Sequence, residues 1–195
     1  MAEKRKELTI PEGYPNEGKI LQELIPKKDL DMRIKELAAD ISSNYNGRIP
    51  IIIGVLNGSF LFMADLVRNL TIDFEVDFIK ITSYGSATSS SGTVRLLKDI
   101  SADITGRDVI IVEDIVDTGL SLTFLKNRLE TAEPKSLAFV TCLYKPEIAK
   151  HDFAIDYIAF NIKNRYVVGY GLDLDQKFRG LSSIYAFKEG EPDNG

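Results

Sequence analysis

Apolar residues recur along this chain with two periods, one helical and one extended. Leu30, Ile34, Leu37, Ala38, Ile41 and Tyr45 fall three or four positions apart, the spacing of one helix face, with Asp29 placed to cap its start and Gly47 to stop it. Residues 50–56 (PIIIGVL) form a short apolar run that reads as a buried strand. Asn57-Gly58 then makes a turn, and Ser59 caps a second helix running to Leu70. Residues 72–83 alternate apolar and polar, which predicts a strand with one solvated or functional face. A β-branched run from Val109 to Val116 predicts another buried strand, followed by a helix over Leu122 to Leu129. Strands are expected at Ser136 to Tyr144, Ile155 to Phe160 and Tyr166 to Gly169.

Two stretches carry neither period. Residues 1–28 are polar with three prolines and read as an arm or edge structure. Residues 83–93 are small, polar and glycine-flanked, which indicates a mobile loop. The order of strands and helices predicts an α/β fold: a mostly parallel twisted sheet with helices on both faces. No repeat or linker divides it, so residues 1–195 are expected to form one domain.

Composition narrows the function without naming it. The net charge of −5 argues against bulk attraction to nucleic acid or an anionic membrane. One cysteine, Cys142, permits no internal disulfide and suits the cytoplasm. The charged start lacks a secretory apolar stretch, and no apolar run approaches the roughly 20 residues of a membrane span. A single histidine, His151, argues against a histidine-rich metal site or a histidine-based triad; both it and Cys142 read as structural or incidental.

The most informative stretch is Val109-Ile110-Ile111-Val112-Glu113-Asp114-Ile115-Val116-Asp117-Thr118-Gly119-Leu120-Ser121. A strand end that turns into a helix N-terminus is where open α/β sheets hold ligands. Unbonded N–H groups and the helix dipole there favour an anion, and Thr118 and Ser121 add hydroxyls. Carboxylates repel phosphate unless a cation lies between them or they face sugar hydroxyls instead. A phosphorylated sugar with Mg²⁺ is the simplest ligand meeting these terms. The plainer alternatives are strand-end acids at Glu113 and Asp114, a helix N-cap at Asp117, a mere turn at Asn57-Gly58, a solvated Lys145 and a core Tyr166.

With these residues in place, the chain resembles the purine phosphoribosyltransferases of the hypoxanthine-guanine type. The segments carrying the likeness are Glu113-Asp114-Ile115-Val116-Asp117-Thr118-Gly119, Val55-Leu56-Asn57-Gly58-Ser59-Phe60, Ser83-Tyr84, Lys145-Pro146-Glu147, the run from Tyr166 to Asp173, and Phe178-Arg179-Gly180-Leu181. The resemblance implies the type I phosphoribosyltransferase fold, with a small hood built from about 1–28 and 166–190. It implies transfer of a 5-phosphoribosyl group from phosphoribosyl pyrophosphate to N9 of hypoxanthine or guanine, with Mg²⁺ as cofactor. By the same likeness Glu113 and Asp114 hold the ribose hydroxyls and metal, and Asp117 is the general base near purine N7. Thr118, Gly119, Leu120 and Ser121 bind the 5′-phosphate; Leu120 and Asn57 stand where some relatives carry lysine. Asn57, Gly58 and Arg179 bind pyrophosphate, in a loop that tends to hold a cis peptide. Lys145 donates to the 6-oxo group, Tyr166 stacks on the base, Val167 reads its edge, and Asp173, in the purine-binding segment, holds a second Mg²⁺ on pyrophosphate. Ser83 and Tyr84 open a closing flap. The likeness also implies a homodimer or homotetramer.

Two other readings compete. A non-catalytic regulator could keep the same cradle to sense nucleotide. An aspartate-nucleophile phosphatase or receiver domain is disfavoured, because Asp114-x-x-Asp117 does not give the Asp-x-Asp of such phosphatases.

Overall fold

The computed structural model describes residues 6–84, 93–188 and 190. Along the chain run strand β1 (Glu7–Thr9), β2 (Ile20–Ile25), helix α1 (Lys27–Asn44), β3 (Ile51–Leu56), α2 (Phe60–Asn69), β4 (Glu75–Tyr84), β5 (Thr93–Lys98), β6 (Asp108–Val116), α3 (Leu120–Glu130), β7 (Ser136–Tyr144), β8 (Tyr157–Asn161), β9 (Val167–Val168) and β10 (Ile184–Phe187). The main sheet has the order β5-β4-β3-β6-β7-β8. Every neighbouring pair in it is parallel except β4 with β5. A second sheet, β1-β2-β10-β9, is antiparallel and joins residues from both ends of the chain.

Burial explains the layers. β3 and β6 lie in the middle of the main sheet, covered on both faces, and their apolar runs are almost wholly buried. One core gathers Leu30, Ile34, Leu37, Ala38 and Ile41 of α1 with Phe62, Met63 and Leu66 of α2. A second gathers Leu122, Leu125 and Leu129 of α3 against Ile51, Ile53, Val109 and Ile111. Helices therefore cover both faces, as the pattern predicts. The strands end together at the edge where β3, β6 and β7 turn into their following segments, so the site residues meet there.

Several local expectations need correction. Helix α1 starts at Lys27 with Pro26 as its N-cap; Asp29 lies inside the first turn. Proline suits the start of a helix because the missing N–H would have no partner there. The helix ends at Asn44, and Gly47, at φ 74°, belongs to the turn beyond. Ser59 stands at the N-cap of α2, but its hydroxyl donates back to the Val55 carbonyl at 2.6 Å, so no side-chain cap forms. The arm expected over 1–28 contains strands β1 and β2 and the start of α1. β5 and β10 were not among the expected elements. Of the expected mobile loop, Ser83 and Tyr84 close β4 and Thr93 opens β5, while residues 85–92 lie outside the described residues. Among the described residues no helix is long and apolar enough to cross a membrane.

Candidate active site

β6 delivers two carboxylates to the carboxyl edge of the sheet. Glu113 is buried and its Oε2 has no hydrogen-bond partner. Burial pushes its pKa well above the usual carboxylate range, and the neighbouring Asp114 charge adds to the rise. Burial also lifts Asp114, to about 6, although the Ile115 N–H donates to its Oδ1 at 2.8 Å and restrains the shift.

The loop after β3 lies directly against this pair. Its Leu56–Asn57 peptide is cis, one bond before the Asn57–Gly58 pair. A Cβ at Gly58 would lie 1.4 Å from Asp114 Oδ2, so the carboxylate rests on bare main chain. On the other side, a Cβ at Gly171 would lie 2.0 Å from the Gly58 carbonyl oxygen, and Gly171 adopts φ 99°. Only glycine fits these approaches. Arg179 completes this side: it donates to the Gly171 carbonyl at 2.8 Å and pairs with Asp173 at 2.8 Å. Asp173 also accepts the Gln176 N–H at 2.7 Å. A cavity of about 320 Å³ is lined by Asn57, Gly58, Glu113, Asp114, Ser121, Asp173 and Arg179, among others.

A second cavity of about 340 Å³ follows the chain from Glu113 through Leu122, and shares Glu113, Asp114 and Ser121 with the first. Gly119, at φ 83°, is the N-cap of α3, and the helix start lacks a side-chain cap, with the Leu120 N–H making only a long 3.5 Å bond to Thr118 Oγ1. Thr118 and Ser121 lie along it, and Leu120 is exposed.

Asp117 is not a helix cap, and Lys145 is not a solvated lysine. Their side chains form an ion pair at 2.6 Å, with Lys145 only 7% exposed and Asp117 50%. The Lys145 N–H bonds the Val116 carbonyl at 3.0 Å and the Lys150 N–H bonds Thr118 at 2.9 Å, which docks the turn after β7 onto the phosphate-type loop. Tyr166 donates its hydroxyl to the Asp173 carbonyl at 2.9 Å, and Val167 is buried opposite Ala186. Lys145, Tyr166 and Val167 line neither cavity; Lys145 reaches the site through Asp117. Ser83 and Tyr84 pair in the main chain with Val94 and Thr93 at the end of β4.

One neighbour escaped the sequence reading. A Cβ at Gly119 would meet the His151 ring at 2.9 Å, so this imidazole sits directly behind the α3 N-terminus. His151 Nδ1 donates to the Phe153 carbonyl at 2.6 Å, which leaves Nε2 facing the Tyr144 hydroxyl at 3.3 Å. Nothing in the spacing of residues 119 and 151 signals the contact.

The residues suit a hard divalent cation completed by a ligand. Among the described residues no three His, Cys, Asp or Glu side chains gather into a metal-holding group. The orphaned oxygen of buried Glu113 and the raised carboxyl of half-buried Asp114, with Arg179 as the positive charge acting on Asp114, nevertheless offer a pair of oxygen ligands. Magnesium takes one or two carboxylates and fills its remaining positions with water and substrate oxygens.

Comparisons with known proteins place the chain in a family. Residues 22–175 match the family model described as "Phosphoribosyl transferase domain". A hypoxanthine-guanine phosphoribosyltransferase of Bacillus subtilis (strain 168) is 40% identical over 165 residues, 85% of this chain and 92% of that protein. The enzyme of the same name from Mycobacterium avium is 44% identical over 179 residues, 89% of this chain and 87% of that one. Among solved structures, a hypoxanthine-guanine phosphoribosyltransferase from Bacillus anthracis superposes with a TM-score of 0.81 at 44% identity, covering 85% of this chain and 98% of its own.

Proposed function

The chain belongs to the phosphoribosyltransferase family, with the type I fold and the hypoxanthine-guanine enzymes as its relatives, and from that premise we propose how its residues carry out the transfer. It moves the 5-phosphoribosyl group from phosphoribosyl pyrophosphate to N9 of hypoxanthine or guanine, releasing pyrophosphate and giving IMP or GMP. The bond from C1′ to the pyrophosphate oxygen breaks, the bond from N9 to C1′ forms, and the purine loses one proton. The observation that carries the reading is the continuity of the two cavities: carboxylates in the middle, free helix N–H groups on one side, an arginine on the other.

The N–H groups from Thr118 to Ser121, with the α3 dipole behind them, anchor the 5′-phosphate. Glu113 and Asp114 face the ribose hydroxyls and would hold Mg²⁺, with Asp173 near a second ion. Bound there, the cation supplies charge to the leaving pyrophosphate and to the carboxylate pair. Arg179 offers a planar fork to the same oxygens. The Gly58 main chain adds a donor where Asn57 brings no charge.

Purine enters between Lys145 and Asp117, which hold each other until it arrives. The ammonium then donates to the 6-oxo oxygen and the carboxylate takes the proton at N7. Adenine presents a donor where Lys145 needs an acceptor, so 6-oxopurines are selected. Tyr166 serves as a stacking surface and Val167 reads the base edge. Ser83 and Tyr84 begin a flap that keeps water from the reaction centre. The small antiparallel sheet acts as a hood over the purine segment. The working protein is a cytoplasmic homodimer or homotetramer. None of the relatives named above is called a regulator, and the Lys145–Asp117 pair has no task in mere sensing.

Initial rates with hypoxanthine, guanine, xanthine and adenine, at fixed phosphoribosyl pyrophosphate and Mg²⁺, test this reading. Turnover with hypoxanthine or guanine and none with adenine is expected. No pyrophosphate release with any 6-oxopurine would falsify it.

A further inference from the structure

Nothing in the transfer uses Tyr170, yet the fold holds it in an unusual conformation. It lies at φ 52° between Gly169 at 95° and Gly171 at 99°, three consecutive residues in the left-handed region. A non-glycine residue stays there only when its surroundings fix it. Main-chain bonds do part of this: the Tyr170 N–H reaches Leu181 at 2.8 Å and the Gly171 N–H reaches Arg179 at 2.9 Å. The rest comes from the side chain. The Tyr170 ring is buried in the same core as Phe62 and Met63, and its hydroxyl donates to Asp65 Oδ2 at 2.6 Å.

Asp65 belongs to α2, the helix that starts two residues after Gly58. It is itself fixed, since its other oxygen pairs with Arg68 and its carbonyl accepts Asn69 Nδ2 at 2.8 Å. The Gly58 loop and the Gly169–Gly171 turn are thus joined twice. At the front, bare main chain meets bare main chain, Gly171 against the Gly58 carbonyl. Behind, a hydroxyl–carboxylate bond ties the turn to the helix growing out of the loop. Arg179 hangs on the same turn through its bond to the Gly171 carbonyl.

We propose that Tyr170 and Asp65 are positioning residues for the pyrophosphate half of the site, holding the turn that carries Arg179 in register with the Gly58 loop. The proposal rests on the reading of Asn57, Gly58 and Arg179 as the pyrophosphate contacts. Neither residue touches substrate. The 2.6 Å bond from the Tyr170 hydroxyl ties the turn to α2, and its loss lets the turn shift. A small shift is enough, because the contact at Gly171 leaves no slack.

Tyr170→Phe removes the hydroxyl and keeps the ring. The measurements are KM for phosphoribosyl pyrophosphate, KM for hypoxanthine, kcat, and the dissociation constant of pyrophosphate titrated into the protein with Mg²⁺. Both pyrophosphate-dependent constants are expected to rise roughly tenfold, with the hypoxanthine KM within about twofold of wild type. Asp65→Asn keeps an acceptor for the hydroxyl and should stay near wild type; Asp65→Ala should match or exceed the Tyr170→Phe loss. The proposal is overturned if Tyr170→Phe leaves both pyrophosphate-dependent constants unchanged, whatever happens to its melting temperature. It is equally overturned if the constants for both substrates rise together. Wild-type protein that fails to bind pyrophosphate overturns instead the underlying assignment of that half-site.

Discussion

Strand β6 begins with a buried acid, Asp108, and nears its end with a second, Glu113, followed by half-buried Asp114, and the two ends are furnished in opposite ways. Asp108 receives the Ser136 hydroxyl at 2.7 Å, Arg48 at 3.1 Å and Lys135 at 3.2 Å. Burial pushes its carboxyl up, but these hydrogen bonds and charges outweigh that, and it titrates below the usual range. At the other end Glu113 Oε2 meets nothing, and burial drives both carboxyls upward. One strand therefore holds an acid the fold has satisfied and, at its other end, a buried carboxylate oxygen without a hydrogen-bond partner beside an aspartate held by its own main chain. On the proposed function the first end serves stability and the second serves binding, with the same residue chemistry at both.

The sharpest way to break this comparison is chemical. Asp117→Ala should lower kcat by about 10²–10⁴-fold, the usual worth of a positioned general base, while phosphoribosyl pyrophosphate binding weakens far less. Equal losses in both, read by steady-state kinetics, would remove the base from the mechanism. Next come paired substitutions at the two ends of β6. Asp108→Asn should cost about 2 kcal/mol, or roughly 4–8 °C in melting temperature, discounted for its partly exposed partners. Its kcat per folded molecule should hold. Asp114→Asn should do the reverse at pH 7.5, melting higher than wild type without substrate while losing transfer. A lower melting temperature for Asp114→Asn would mean that the pair is structural after all.

The pH dependence of stability separates the ends more gently. Asp114 titrates near 6 when folded and lower when unfolded, so its ionisation opposes folding above pH 6. Lowering the pH through 6 relieves that opposition, and the stability gap between wild type and Asp114→Asn should shrink. Asp108 has a depressed value, so its contribution is fully present above the unfolded pKa and is lost only as the pH falls through its folded value. Thermal melts of both variants against wild type, carried from pH 8 to well below 3.8, the ordinary value of an aspartate, check the two windows. The smallest effect is expected at Leu120, which is exposed beside the 5′-phosphate loop. If the grip there is main chain, Leu120→Lys should move KM for phosphoribosyl pyrophosphate by no more than about twofold, since an exposed charge at a helix end is worth only a few tenths of a kcal/mol.

Much of this was legible in the sequence because it is local. The run Val109–Val116 followed by Asp117-Thr118-Gly119 places strand, acids and helix start within thirteen residues, and β7 falls on Ser136–Tyr144 as the periodicity predicts. Of the second sheet the periodicity predicts only β9 as a strand, and the hood over about 1–28 and 166–190 follows from the resemblance alone. β1 has three residues and β10 four, too short for a period, and β10 finds its partner in β2 at the far end of the chain. The contacts that give the site its tightness were hidden for the same reason. Gly58 between Asp114 and Gly171, His151 behind Gly119, and Tyr170 on Asp65 all join residues distant in sequence. Lys145 shows the limit best: periodicity puts it at a strand end, and only the folded chain shows it buried against Asp117.

That ion pair also bears on what the enzyme does while idle. An activated sugar waiting in the site is open to attack by any stray solvent molecule with a neighbour able to accept its hydrogen. Until a nucleobase displaces it, the ammonium of Lys145 occupies the Asp117 carboxylate, the group the proposed mechanism uses as its base. Lys145→Met should therefore release pyrophosphate faster than wild type when no base is supplied; an unchanged leak would show that the guard lies elsewhere. On the proposed mechanism the resting molecule keeps its own reagent quenched, and the acceptor that lifts the restraint is the one meant to be modified.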